Sequence, residues 1–522
     1  MEDLKILSLK ITALLLVSYF FLKVFYSIWW KPKWLERRLK QQGIRGNPYK
    51  LLIGDMKDFM KQITEAWSKP MSLSHQIAPR VDPFTLNTAQ KYGKVSLCWA
   101  GTTPRLNIMD PDIIKEVLAN KQGHFGITPL ALNPLILILT EGLTLLEGET
   151  WATHRRIMTP AFNSEKLKGM VSIFAESCVL LVEKWKKSIA LGGTCEIDVW
   201  PEFQDLTGDI ISRTAFGSNF DEGNQILKLQ RELQGLVVEA MQSLYIPGLR
   251  FIPTRKNRRR KSLDKNITSM LRSLIERKET LMRTGQTNTD DLLGLLLQSN
   301  DENSLQSSPQ NKNGNKMTIK EIIEECKQFY IAGQETTSSL LTWTMIILAM
   351  HPEWQEQARE EVLALCGKQH PDAKTISQLK TVTMILHEVL RLYPPAIALY
   401  KHTYQETKIG NLSLPAGVDL TLPLLLIHHD PELWGSDAEE FKPERFSEGL
   451  SKASKNQLAF FPFGWGPKTC IGQNFALMEA KIALSIILQN FSFELSPSYT
   501  HAPNTVMTLQ PQHGAPIILK EI

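Results

Sequence analysis

The chain has 522 residues, of which 43% are hydrophobic and 22% are charged, and this composition is typical of a globular protein. Its 59 basic and 54 acidic residues leave a net charge of +5, which is too small to favour nucleic acid as a partner. The six cysteines are scattered without CxxC spacing, so the sequence shows neither a disulfide framework nor a zinc cluster. This cysteine usage is typical of a reducing compartment.

The first predicted element is an apolar helix over Ile11–Trp30, interrupted only by Lys23. A helix of this length reaches roughly 30 Å, about the thickness of the hydrocarbon core of a bilayer. A cleaved secretory signal is the alternative, but it needs a shorter apolar core and a small-residue cleavage site. Five basic residues follow the helix and favour a cytosolic position for the rest of the chain, namely Lys31, Lys33, Arg37, Arg38 and Lys40.

The rest of the chain lacks a linker rich in proline, glycine or serine, and most of its long segments carry helical periodicity. The predicted organisation is therefore a membrane anchor over 1–30, a basic juxtamembrane linker over 31–50 and one large, mainly α domain with a small β region over 51–522. The basic run Arg255–Lys261 is interpreted as a solvated helix flank, with contact to anionic lipid as the alternative. The polar stretch 298–318 is interpreted as a mobile surface loop.

The segment 148–162, "GETWATHRRIMTPAF", is predicted to form the start of the next helix. Trp151 and Arg155 lie one turn apart on the same face of it. A later helix over 322–350 is apolar almost all round, which predicts that it is buried.

The centre of this later helix is unusual, because Gly333 is followed by Glu335, Thr336 and Thr337. A glycine inside a helix costs about 1 kcal/mol relative to alanine, and buried polar groups need partners. One interpretation is structural: glycine permits a close helix crossing, and threonine bonds its own backbone. The other is a distorted turn, where a flat ligand approaches the backbone and protons are delivered locally.

Two further motifs combine acidic and basic residues. "HEVLRLYPP" places Glu388 and Arg391 three positions apart on a predicted helix, and "FKPERF" places Arg445 next to Glu444. By spacing alone such a pair is usually exposed and weak. The leucines around Glu388 favour burial instead, and a buried pair needs extra hydrogen bonds, for which Arg445 is a candidate.

The last motif, "FFPFGWGPKTCIG" over Phe460–Gly472, contains the single cysteine Cys470 on a glycine-lined loop. Taken in chain order with Trp151 and Arg155, "AGQETT", "EVLR" and "PERF", it resembles the cytochrome P-450 family of haem-thiolate monooxygenases over essentially the whole chain. Finer segments such as "GIRGNPYKLLIGD" and "LQPQHGAP" resemble the plant branch that contains secologanin synthase and related terpenoid oxidases.

The resemblance implies the P-450 fold and a haem b cofactor whose iron is bound by the Cys470 thiolate. One cysteine suffices, since the porphyrin supplies four nitrogens and the sixth position stays open for oxygen. Gly466 and Gly472 would let the loop lie against the macrocycle, and Phe463 would pack beside the ligand. A helix beginning near Ile471 would direct backbone amides at the sulfur and favour the thiolate.

On the distal side, the resemblance implies that Thr336 and Glu335 are catalytic residues for proton delivery and that Gly333 leaves room for oxygen. Trp151 and Arg155 would bind a haem propionate. Lys468 and Lys401 stand where related sequences often carry another residue, in the first case arginine, and lysine keeps the charge but loses bidentate geometry. Glu388, Arg391 and Arg445 match the structural triad of the family, so we expect them to support the fold.

The predicted function is an NADPH- and O2-dependent monooxygenase that oxidises a lipophilic molecule, such as a terpenoid or a plant-hormone-like scaffold. The expected partner is a separate NADPH-cytochrome P-450 reductase, and the expected location is the endoplasmic reticulum membrane. Apolar segments 130–143, 394–399 and 505–509 match pocket-lining segments of the family, although each alone is equally consistent with ordinary core. A haem-thiolate isomerase or dehydratase and a noncatalytic haem sensor are the alternatives, and the "AGQETT" residues argue against both.

Overall fold

The structure is a computed structural model, and it describes residues 2–120, 123–129, 133–189, 193–218, 220–242, 254–286, 291–300 and 317–522. The described chain is mainly helical with small β-sheets, as predicted. Most of the interval 298–318, predicted to be a mobile loop, and the start of the lining segment 130–143 lie outside the described residues.

The α-helices are α1 Glu2–Phe25, α2 Lys31–Lys40, α3 Met56–Ser68, α4 Ala78–Val81, α5 Pro83–Tyr92, α6 Pro111–Ala119, α7 Pro134–Leu137, α8 Gly148–Met158, α9 Ser164–Ile189, α10 Val199–Phe216, α11 Phe220–Gln242, α12 Arg255–Arg283, α13 Leu292–Gln298, α14 Ile319–Met350, α15 Pro352–Cys366, α16 Ala373–Gln378, α17 Lys380–Leu392, α18 Leu424–His428, α19 Pro431–Trp434 and α20 Gln473–Asn490. The strands are β1 Arg45–Gly46, β2 Val95–Ala100, β3 Thr103–Ile108, β4 Phe125–Gly126, β5 Thr194–Asp198, β6 Leu399–Thr403, β7 Thr407–Ile409, β8 Leu412–Leu414, β9 Asp419–Leu422, β10 Phe491–Leu495, β11 Pro503–Thr505, β12 Leu509–Pro511 and β13 Pro516–Glu521.

The N-terminal helix is longer than the predicted anchor. A π-helical turn over Tyr26–Trp30 joins α1 to α2, and the stretch Lys5–Lys40 forms a single helix long and apolar enough to cross a membrane. The first part of the predicted 31–50 linker is therefore helical. Its physical reason is amphipathic spacing, because Leu35 and Leu39 lie one turn apart on α2 and are buried.

The described chain divides into two compact units. The first contains residues 1–69, 76–128 and 398–427. Its main sheet has the strand order β1-β2-β3-β9-β6-β4, in which β1–β2 and β3–β9 are parallel and the other neighbours are antiparallel. Strands β7 and β8 form a separate antiparallel hairpin in the same unit.

The second unit contains residues 70–75, 129–397 and 428–522, and its core is built around α14. This helix begins with a capping box: Glu321 N–H donates to the Thr318 hydroxyl at 3.2 Å, and Thr318 N–H donates to the Glu321 carboxylate at 2.7 Å. Nearly every residue from Ile322 to Leu348 is buried, including the fully buried Trp343, so α14 is the buried helix that the sequence predicts. An antiparallel sheet β10-β13-β5 and the hairpin β11–β12 belong to the same unit.

The basic run Arg255–Lys261 forms the first two turns of α12. Most of its cations are exposed, as predicted. Arg260 is an exception, since it is buried and its Nε donates to the carbonyl of Leu236 at 3.2 Å. The solvated-flank interpretation is therefore wrong for Arg260, because its guanidinium satisfies a backbone carbonyl of α11.

Candidate active site

The loop before α20 carries Cys470. Gly466 has a φ of +73°, a left-handed conformation that glycine adopts without strain, and it is the first residue of the 3-10 turn Gly466–Lys468. The Cys470 N–H donates to the carbonyl of Phe463 at 2.8 Å, which closes the loop. Cys470 is exposed, whereas Cys98, Cys178 and Cys326 are buried.

Two groups favour a negative charge on the Cys470 sulfur. The Gly472 N–H donates to it, and the Arg155 guanidinium acts on it as a nearby positive charge. Desolvation of the sulfur by the surrounding protein atoms has the larger effect, because it disfavours the ionised form, and the pKa of Cys470 is therefore raised from its usual value. The predicted preference of this loop for the thiolate stays a prediction, and an iron ion bound to the sulfur would deprotonate it outright.

Helix α8 places two predicted residues against this loop. Arg155 Nη1 donates to the carbonyl of Thr469 at 2.8 Å, which fixes its guanidinium beside Cys470. The Lys468 ammonium lies 5.5 Å from the centre of the Trp151 ring and donates to the carbonyl of Leu146 at 2.9 Å. Burial lowers the pKa of both Arg155 and Lys468. The loop that carries Cys470 is thus contacted by Arg155 and Trp151 of α8, and its own Lys468 lies over Trp151.

This donor set fits a haem. The uncovered Cys470 sulfur is a single soft ligand for iron, and Gly472 leaves only ordinary contact beside it, since a Cβ there would lie 4.0 Å from the sulfur. Arg155, Lys468 and Trp151 are the groups that would hold the carboxylates of the macrocycle. When bound, a haem with thiolate ligation supplies the oxidising chemistry for oxygen activation.

Helix α14 carries the predicted distal residues, and it is a continuous α-helix through them. The expected distorted turn is therefore wrong as an interruption of the helix. A Cβ at Gly333 would lie 2.9 Å from Ile211 Cγ1 on α10, so glycine here permits the close crossing of α10 and α14. The Thr336 hydroxyl donates to the carbonyl of Ala332 at 2.7 Å, so it has the helix-backbone partner of the structural interpretation.

Glu335 lies on the same helix and is buried. Burial raises the pKa of its carboxyl group, while the positive charge of Arg231 on α11 and a hydrogen bond from Thr508 lower it. The Thr508 hydroxyl lies 3.5 Å from Glu335 Oε2. A carboxyl group in this environment is able to hold or release a proton close to Thr336.

The predicted structural triad is assembled behind the cysteine loop. Arg391 Nε and Nη2 donate to Glu388 Oε2 and Oε1, each at 2.7 Å, and neither side chain is exposed. Arg445 Nε lies 3.4 Å from the same carboxylate. The extra hydrogen bonds come mainly from the backbone rather than from Arg445, because Arg391 also donates to the carbonyls of His428, Ala438 and Glu440.

Lys401 lies on β6 of the first unit, half-buried and opposite Leu420 of β9. Its predicted role toward the cofactor stays a prediction.

Three contacts of the site were not predicted from the sequence. Arg231 and Thr508 act on Glu335, and Leu146 accepts the ammonium hydrogen of Lys468. Each pairing joins residues more than one hundred positions apart, and local patterns of one sequence do not reveal such contacts. Glu479 on α20 was also missed: burial raises the pKa of its carboxyl well above its usual value, with the Thr337 hydroxyl of α14 as the polar group that opposes this.

Comparison with known proteins agrees with this geometry. A sequence profile of the cytochrome P450 family matches residues 75–516. Similar proteins include cytochrome P450 CYP72A616 of Paris polyphylla, which is 53% identical over 95% of each chain. The 11-oxo-beta-amyrin 30-oxidase of Glycyrrhiza uralensis is 50% identical over 95% of this chain and 94% of its own. Secologanin synthase 2 of Catharanthus roseus is 47% identical over 95% of this chain and 93% of its own.

The fold and the cysteine site therefore define a haem-dependent monooxygenase. The chain belongs to the cytochrome P450 family, with a haem-iron cofactor and electrons supplied from NADPH through a reductase. The predicted resemblance to plant terpenoid oxidases of this family is confirmed.

Proposed function

We propose that this protein oxidises a lipophilic terpenoid, with dioxygen and NADPH-derived electrons as co-substrates. The observation that carries the proposal is the exposed cysteine Cys470, with the Arg155 guanidinium beside it and Lys468 held against Trp151 by the same loop. The named activities of the relatives support the substrate class, since they are oxidations or syntheses of terpenoids.

The proposed roles fall on two sides of the cofactor, the side of the cysteine ligand and the distal side. Cys470 binds the iron, while Arg155, Lys468 and Trp151 hold the cofactor in place. Glu335 and Thr336 supply protons on the distal side, where burial keeps the Glu335 carboxyl poised to exchange one. Gly333 would chiefly permit the close crossing of α10 and α14, because a side chain there would meet Ile211. The same lack of a side chain would leave room for oxygen.

The substrate pocket is proposed to be lined by the apolar segments 136–143, 394–397 and 505–509 of the second unit. Few polar side chains occur in them, which favours a hydrophobic scaffold over a polar metabolite. The N-terminal helix supports location in the endoplasmic reticulum membrane, where a membrane-bound reductase would reach the protein from the cytosolic side.

Turnover of a terpenoid panel tests this proposal. Full-length protein in microsomes with a plant reductase is expected to give oxygenated terpenoid products that require NADPH and incorporate one atom of labelled dioxygen. A matched panel of polar metabolites is expected to give none. Product formation without NADPH, or turnover confined to polar substrates, would contradict the proposed function.

A further inference from the structure

Two hydrogen bonds from α14 to one carbonyl of the hairpin β11–β12 attach this hairpin to the helix. Its strands pair Thr505 with Leu509, and the carbonyl of Leu509 accepts hydrogen bonds from the Ser339 hydroxyl and from Trp343 Nε1, the latter at 3.1 Å. On its other side, Leu509 N–H donates to the carbonyl of Pro395 at 2.9 Å. All of these partners belong to the second unit, so the start of β12 has a fixed position along α14.

This attachment determines which part of α14 the hairpin turn meets. Ser339 lies one helical turn after Glu335, so the residue before Leu509 is brought to Glu335 itself. That residue is Thr508, whose hydroxyl lies 3.5 Å from Glu335 Oε2. Both side chains are 7% exposed, so little water competes for this contact.

Few other groups act on the Glu335 carboxyl. Among the described residues, Arg231 on α11 is the charged group that faces it, and Thr508 is its side-chain hydrogen-bond partner. Burial disfavours the ionised carboxylate, and both of these groups favour it. The orientation of the carboxyl group therefore depends on a neutral hydroxyl supplied by the hairpin.

We propose that Thr508 is a positioning residue that orients the Glu335 carboxyl group, and that the β11–β12 hairpin holds it there through Leu509. The inference rests on the proposed proton-handling role of Glu335. The carboxyl group keeps one orientation when Thr508 donates to it, and it rotates and gains a higher affinity for protons when the hydroxyl is removed.

Infrared titration of the haem-loaded, full-length protein tests this proposal without turnover. The band of the protonated Glu335 carboxyl is the one that Glu335→Gln removes. Thr508→Val, which keeps the shape and loses the hydroxyl, is expected to move the midpoint of that band to higher pH, and Thr508→Ser is expected to restore it. The matched control is Thr342→Val on α14, because the Thr342 hydroxyl is buried without a hydrogen-bond partner among the described residues.

Turnover gives the second readout. Product formed per NADPH is expected to fall roughly two- to tenfold in Thr508→Val, the range of one lost hydrogen bond, with the haem spectrum unchanged. An unshifted midpoint in Thr508→Val, or the absence of a titrating band that Glu335→Gln removes, overturns the positioning role. A shifted midpoint together with normal coupling in Glu335→Gln supports the positioning role and removes the proton-handling role, so the two failures are distinguishable.

Discussion

Thr336 has a structural partner as well as a proposed catalytic task. Its hydroxyl donates to the carbonyl of Ala332 at 2.7 Å, and a hydroxyl keeps acceptor capacity while it donates. The observed bond is thus compatible with a second hydrogen bond toward the pocket.

We predict that Thr336→Ala uncouples electron use from product formation. Product is expected to fall tenfold to a hundredfold, equivalent to about 1.4–2.7 kcal/mol, while NADPH consumption continues and peroxide accumulates. Measuring NADPH, peroxide and product together checks this, and Thr344→Ala on the same helix is the control, since its hydroxyl also donates to a helix carbonyl at 2.7 Å. Preserved coupling in Thr336→Ala would leave only the structural role.

Lys468 connects the cysteine loop to the segment before α8. Its ammonium donates to the carbonyl of Leu146 and lies over Trp151. We predict that Lys468→Met speeds haem loss by about tenfold or more, because a charge-assisted hydrogen bond is worth about 1.5–3 kcal/mol. Haem transfer to apomyoglobin measures the rate. Lys452→Met, which removes an exposed ion pair with Glu448, is expected to leave it unchanged, and equal rates in the two variants would contradict the role of Lys468.

Single residues differ in how far the sequence predicts them. The sequence predicts that Cys470, Trp151, Arg155 and Lys468 belong to one site, because the order of the motifs is specific to a family. It does not predict the partner of Lys468, nor that Thr508 lies at Glu335. Those contacts depend on where distant segments meet, which is a property of packing rather than of local pattern.

At the scale of elements, periodicity predicts the long helices well. Helix α14 is buried and α8 begins where predicted, since the spacing of apolar residues is a local signal. The predicted linker over 31–50 begins as the helix α2, since Leu35 and Leu39 give this basic segment a buried apolar side. Gly333 in α14 allows close packing against Ile211 of α10, which is a long-range contact. The sequence alone therefore could not decide between the two interpretations of this glycine.

Helix α17 carries the buried pair Glu388–Arg391, and the Arg391 guanidinium also donates to backbone carbonyls of the later segment 428–440. We predict that Glu388→Ala lowers the free energy of unfolding by about 3–5 kcal/mol, because it leaves the Arg391 charge buried without its carboxylate. Urea unfolding followed by circular dichroism measures this loss. Glu448→Ala breaks an exposed pair with Lys452 and is expected to change the free energy by less than about 1 kcal/mol, so similar losses in the two variants would contradict the account.

At the scale of the whole molecule, buried and half-buried histidines make the fold sensitive to acid. Burial lowers the pKa of His75 to about 3 and of His387 to about 4, with nearby His351 and Lys481 adding to the effect, and it lowers the pKa of His428 well below its usual value. An unfolded histidine has a pKa near 6.5. Between that value and the folded pKa values, the unfolded chain binds more protons, so stability is present above about pH 6.5 and is lost as the pH falls.

We predict that the free energy of unfolding falls by up to about 4 kcal/mol per pH unit near pH 5, from two to three protons taken up on unfolding. Urea unfolding between pH 8 and pH 5 measures the slope. His387→Gln is expected to reduce it by about one proton. A free energy of unfolding independent of pH over this range would contradict the assignment of these histidines as neutral in the folded protein.

The central claim is that Cys470 binds the haem iron through its sulfur, and the carbon monoxide difference spectrum of the reduced, full-length protein tests it most directly. The unmodified protein is expected to show the red-shifted Soret band of thiolate ligation. Cys195→Ala, which removes a half-buried cysteine on β5, is expected to keep that band, and Cys470→Ala is expected to lose it. An unchanged red-shifted band in Cys470→Ala would contradict the claim.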